Sequence, residues 1–77
     1  MDGSVEALEF FVKDEVDGVT GVPLCEMHTV RDMLIACIVH DEQIIIPSGL
    51  DTIAPGDTVV IVTKSGHRMD SIGDILE

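Results

Sequence analysis

Apolar residues in this chain come in short blocks instead of a steady alternation. Leu34-Ile-Ala-Cys-Ile-Val39 runs into His40-Asp41-Glu42, Ile44-Ile-Ile46 stops at Pro47, and Pro55-Gly56-Asp57 opens onto Val59-Val-Ile-Val62. Short β-branched blocks bounded by turn formers read as strands, and their lack of alternation implies that both faces of the sheet need cover.

The remaining elements follow from the same pattern. Residues 5–13 are partly alternating, carry Phe10, Phe11 and Val12, and predict a strand centred on 8–13. Residues 14–21 form a turn-rich link. Pro23 suits the first position of a helix, so Leu24 to Met27 are expected to wind one or two turns. Residues 33–40 predict the second strand and 43–46 the third, with Asp41-Glu42 closing a hairpin between them. Neither turn residue is Gly or Asn, so the primed turn is weakly specified. Pro47 ends the third strand because it offers no N–H to a ladder, and 48–54 form a surface loop. Ala54-Pro55-Gly56-Asp57 fits a type II turn, with Pro presetting φ and Gly accepting a positive one. The fourth strand follows at 58–63.

After Ser65-Gly66, the apolar residues Met69, Ile72, Ile75 and Leu76 fall on one face of a helix over 67–76. Gly73 costs such a helix about 1 kcal/mol relative to alanine, so packing must hold it. The expected fold is α+β, a small domain in the order β-α-β-β-β-α. It has one mostly antiparallel four-stranded sheet, a short helix and a C-terminal helix. The domain covers residues 5–77 and follows disordered residues 1–4.

Length and charge narrow the function classes. A single core in 77 residues leaves roughly 3–5 kcal/mol of net stability, so self-association is an expected staple. The 15 acidic residues against 4 basic ones give a net charge of −11, and Lys13, Arg31, Lys64 and Arg68 are scattered singly. Nucleic-acid binding needs clustered cations and stacking aromatics, so no nucleic-acid partner is expected. No apolar stretch approaches the roughly 20 residues of a membrane span, and no direct membrane insertion is expected. Cys25 and Cys37 read as two buried, reduced thiols in a cytosolic protein.

The sites of classical chemistry fail one by one. Asp14-Glu15-Val16-Asp17-Gly18 suggests a calcium loop, but placing Gly18 at its sixth position puts Lys13 first and Leu24 twelfth, where carboxylates are required. Cys25-Glu26-Met27-His28 has the gap of a zinc half-site with no second pair to complete it. Nothing marks a nucleophile elbow around Cys25, and no glycine-rich phosphate loop occurs. The chain reads as a binding or regulatory module and not as an enzyme, with no catalytic residues, no metal and no cofactor.

Taken in order, Ile38-Val-His-Asp-Glu-Gln-Ile-Ile-Ile-Pro47, then residues 50–53, Pro55-Gly-Asp57 and residues 59–62 resemble the TrkA C-terminal domain, also called the RCK C-terminal domain. Gly21-Val-Pro-Leu24 with Glu26-Met27 resembles that family's short G-x-x-L-x-E-L segment, and residues 5–12 its first strand. The likeness spans roughly residues 5–76. One position departs: His40 stands where the family usually has Arg, and a mostly neutral imidazole is the weaker phosphate clamp.

The resemblance implies a cytoplasmic regulatory domain of a potassium or other monovalent-cation transport system, held at the inner face of the membrane through a transporter. It implies a homodimer, a transmembrane potassium transporter as partner and an adjoining NAD-binding RCK N-terminal domain in the full protein. It also implies a small ligand at or near the interface between copies, cyclic di-AMP or another small nucleotide. The expected ligand-binding residues are Ile38, His40, Ile46 and Pro47, with Arg31 as the nearest alternative cation. Ligand binding would favour one arrangement of the pair and so bias the membrane gate. Two alternatives stand beside this: a purely structural dimerisation module, and a divalent-cation sensor built on the acidic surface.

Overall fold

Strands form where the β-branched residues concentrate. In the computed structural model, which describes residues 4–64, 66 and 68–77, they are β1 (Val5–Phe11), β2 (Met33–His40), β3 (Gln43–Ile45) and β4 (Thr58–Lys64). They make one sheet in the order β1-β4-β2-β3, antiparallel at every pairing. The last block in sequence therefore becomes a central strand, with Ile61 flanked by Leu8 on one side and Ile35 on the other. Residues 1–3, most of the predicted disordered start, lie outside the described residues.

Side chains on β4 sort cleanly by face: Val59, Ile61 and Thr63 are buried, and Thr58, Val60 and Val62 are half-buried. On β2 the sorting changes partway. Ile35 pairs with Ile61 and Ile38 with Val59, so Ala36 is an extra residue, a β-bulge. Met33, Ile35 and Ile38 thereby all share the covered face with Ile61, while Leu34, Cys37 and Val39 lie on the other.

The covered face is packed by irregular chain. Val12, Val19, Met27, Ile53, Ile72 and Ile75 are buried against Ile38, Val59 and Ile61. Single bridges, Thr20 to Ile53 and Thr29 to Leu76, tie these segments together. Among the described residues the opposite face has no such cover. By register it presents Val5, Ala7, Glu9 and Phe11 of β1, Val60, Val62 and Lys64 of β4, Leu34, Cys37 and Val39 of β2, and Ile44 of β3.

The α+β assignment is wrong: the protein is mostly β, and its only helical pieces among the described residues are two 3₁₀ turns. The predicted helix after Pro23 is a single turn, Leu24–Glu26. Its amides are taken by the neighbouring loop, Leu24 N–H donating to the Asp51 carbonyl at 3.0 Å and Cys25 N–H to the Gly49 carbonyl at 2.9 Å. Pro23 has ψ 136°, outside the helix.

The predicted C-terminal helix, whose expected first residue, His67, lies outside the described residues, reduces to a turn at Ile72–Ile75. Asp74 Oδ2 accepts the amides of Asp70 and Ser71 at 2.8 and 3.1 Å, capping a helix that then has no length left to propagate. The chain end pairs instead with residues 28–30: Val30 N–H reaches the Ile75 carbonyl at 2.8 Å and Glu77 N–H the His28 carbonyl at 3.1 Å. The apolar spacing at 72 and 75 still does its work, burying both isoleucines from a 3₁₀ turn. Cys25 also departs from expectation, since its thiol is free and exposed.

Two turns have telling backbones. Asp41 and Glu42 close the β2–β3 hairpin with φ of 47° and 67°, the left-handed pair of a primed turn adopted without Gly or Asn. Gly56, at φ 98°, occupies the position of the 54–57 turn that only glycine fills without strain.

Candidate functional site

Asp57 ends the Pro55-Gly56 turn one residue before β4, and the fold buries it to 2% exposure. A buried carboxylate must be paired, and this one is. Its Oδ2 accepts the Ala54 N–H at 2.9 Å, across the turn, and its Oδ1 lies 2.5 Å from His40 Nδ1. The backbone holds the turn on both sides: Asp57 N–H donates to the Ala54 carbonyl at 3.1 Å, Gly56 N–H to the Val12 carbonyl at 2.7 Å, and Val12 N–H to the Asp57 carbonyl at 2.8 Å.

His40 reaches this acid because the bulge in β2 puts it on the covered face. Its other ring nitrogen, Nε2, lies 3.3 Å from Asp41 Oδ2, so the imidazole sits between two carboxylates. The hydrogen bond to Asp57, then the charges of Asp41 and Asp57, raise its pKa above the ordinary 6.5. A folded-state value above the unfolded one means that the pair stabilises the domain fully below about pH 6.5 and that this contribution fades as pH rises through the raised value. Wild-type protein is therefore expected to lose melting temperature from pH 6 to pH 9 by a component that His40→Asn lacks. Parallel pH profiles for the two proteins would contradict the pairing.

Beside the pair opens a cleft of about 290 Å³, walled by Ile38, Ile45 and Leu50 and rimmed by His40, Thr52 and Asp57. Apolar walls with a few fixed hydrogen-bonding groups suit a flat, partly polar ligand. Among the described residues His40 is the one basic residue of the lining, and both of its nitrogens already face carboxylates. A second cleft, about 260 Å³, lies where β3 no longer covers β2; it is lined by Leu24, Cys25, Met33, Leu34, Ile35 and Pro47 among others. There Gly49 allows close approach, since a Cβ on it would stand 2.9 Å from the Cys25 Cβ.

The five residues expected at a ligand site are thus distributed. Ile38 and His40 share the first cleft, Ile38 almost wholly buried. Pro47 lines the second, and Ile46 projects outward at 78% exposure. Arg31 is exposed in the bend before β2, at the opposite end of that strand from His40. Asp57 and Leu50 were not anticipated; the signal for Asp57 was present in the Pro-Gly-Asp turn, read only as a turn. Among the described residues no group of three His, Cys, Asp or Glu is arranged to hold a metal.

No protein-family model matches the chain, and no curated protein matches it. Among solved structures, an RCK domain with cda is similar at a TM-score of 0.67 and 22% sequence identity, covering 96% of this chain and 99% of that one. The correspondence runs end to end, and the loop-covered four-stranded sheet described here has the fold of an RCK domain.

Proposed function

We propose that this chain is a regulatory domain that binds a small ligand and works, as a pair of copies, on a potassium or other monovalent-cation transport system. The observation that carries this reading is the nearly complete structural likeness to an RCK domain solved with cda, read here as cyclic di-AMP. The cleft beside His40 and Asp57 supports it, because its apolar walls accept a base and its rim offers polar partners. Cyclic di-AMP or another small nucleotide is the proposed ligand. A transmembrane transporter and an adjoining NAD-binding domain are the proposed partners, at the cytoplasmic face of the membrane.

The test is thermal unfolding against cyclic di-AMP, AMP, ATP and calcium. A ligand at 100 times its Kd stabilises by about 2.7 kcal/mol, and a domain of this size shifts about 4–8 °C per kcal/mol, so a rise on the order of 10 °C or more is expected with a nucleotide. The rise must grow with concentration. A second reading, a pairing module without a ligand, is favoured by the imidazole held between two acids, which leaves no free cation for a phosphate among the cleft's described residues. No shift with any nucleotide would establish that second reading in place of the first.

A further inference from the structure

We propose that His40 is a proton-operated latch on β3, holding one wall of the cleft in place while the imidazole carries its proton and releasing it when the proton leaves. The inference deepens the function proposed above, as regulation of the same cleft, and rests on that reading only for what the cleft binds.

β3 needs such a hold. It is three residues long and pairs on one side only, with β2; Ile45 packs against the core while Ile44 is exposed. The turn that delivers it, Asp41-Glu42, keeps two non-glycine residues in the left-handed region, at φ 47° and 67°. A short edge strand on a strained turn opens more readily than the core does. Ile45 is also a wall of the cleft, so whatever loosens β3 loosens the cleft.

One proton decides the hold. The charged imidazole has two N–H groups and each faces a carboxylate, Nδ1 that of Asp57 and Nε2 that of Asp41, the first residue of the turn. The neutral ring keeps one. Asp57 is buried, so its Oδ1 cannot be left without a donor, whereas Asp41 is exposed and water serves it; the remaining proton stays on Nδ1. Nε2 then presents a lone pair to the Asp41 carboxylate 3.3 Å away, and an attraction that fixed the turn becomes a repulsion that pushes on it.

The other groups around the ring do not replace that contact. Asp51, which also lines the cleft, is turned to its own loop, its Oδ2 accepting the Ser48 N–H at 2.7 Å. Glu42 is exposed in the same turn, and Gln43 on β3 and Thr58 on β4 carry no charge. Among the described residues no lysine or arginine lines the cleft. The bond to Asp57, then the charges of Asp41 and Asp57, raise the His40 pKa, so the latch lets go only above pH 6.5.

Methyl NMR of the full chain between pH 6 and pH 9 tests this. The order parameter of the Ile45 δ1 methyl is expected to fall as the His40 ring titrates, while that of Ile61, at the middle of the sheet, stays constant. His40→Gln, which cannot titrate, is expected to abolish the change. Asp41→Asn is the sharper probe: its side-chain amide can donate to the unprotonated Nε2, so Ile45 is expected to stay ordered at pH 9 although His40 still titrates. An Ile45 order that ignores pH overturns the proposal, as does a loss shared equally by Ile61 or one unchanged in Asp41→Asn. Calorimetric titration with cyclic di-AMP carries the result to the cleft, with affinity expected to be about fivefold or more weaker at pH 9 than at pH 6. Equal affinity at both pH values also overturns the proposal. Failure of the ligand reading looks different: no binding at either pH, with Ile45 still loosening.

Discussion

Ile61→Ala is expected to remove about half or more of the domain's stability at 25 °C. Ile61 is fully buried at the middle of a central strand, between Leu8 and Ile35. Truncating a buried isoleucine to alanine costs about 2–5 kcal/mol, because the transfer energy of the lost atoms is joined by a cavity its neighbours cannot close. A core in a chain of this length supplies only about 3–5 kcal/mol in total. Urea unfolding followed by circular dichroism reads the result: with a slope near 1 kcal/mol per molar, the midpoint falls by about 2 M or more. Leu50→Ala, at the most exposed large apolar residue, stays within about 0.5 kcal/mol of wild type. A small shift for Ile61→Ala would remove β4 from the centre of the core.

Asp57→Ala is expected to be the most damaging polar substitution. It strips the acceptor from the Ala54 amide and the partner from His40 in one change. Orphaning a buried hydrogen-bonding group costs about 1–3 kcal/mol, and on a domain of this size that lowers the melting temperature by roughly 5–20 °C. The His40 titration, followed by NMR, is expected to fall back toward 6.5, since its largest perturbing contact is gone. Asp57→Asn separates the two effects, keeping an oxygen for the Ala54 amide while removing the charge that His40 feels. An unchanged His40 titration in Asp57→Ala would mean that the imidazole is held by Asp41 alone.

What the sequence reveals about this fold depends on how local the cause is. The strands at 33–40 and 58–64 follow from β-branched blocks, and the turn at Pro55-Gly56 from the fixed φ of one residue and the freedom of the next. The helices failed because the residues that would lengthen them are extended and paired with one another: Met27 leaves the first turn at ψ 133°, Leu76 leaves the second at ψ 140°, and residues 28–30 bond to 75–77. Apolar spacing alone cannot report that pairing. In the candidate site His40 was legible as a polar end to an apolar strand. Its partner was not, because Asp57 lies 17 residues away and reaches it only through the β2–β4 pairing. The separation of Pro47 and Ile46 from His40 is likewise decided by how the loop after β3 turns, which no short pattern encodes.

The bulge at Ala36 sets the parity of everything after it. Odd-numbered residues of β2 face the packed side before it and even-numbered ones after it, which is why Ile38 and His40 look inward while Cys37 and Val39 look out. Remove the bulge but keep every residue, so that Ala36 pairs with Val60 and Cys37 with Val59, and the imidazole changes sides, leaving Asp57 sealed in without a counter-ion. A bulge at one alanine, a residue with no chemistry of its own, thus gives this cleft the one ionisable base among its described residues.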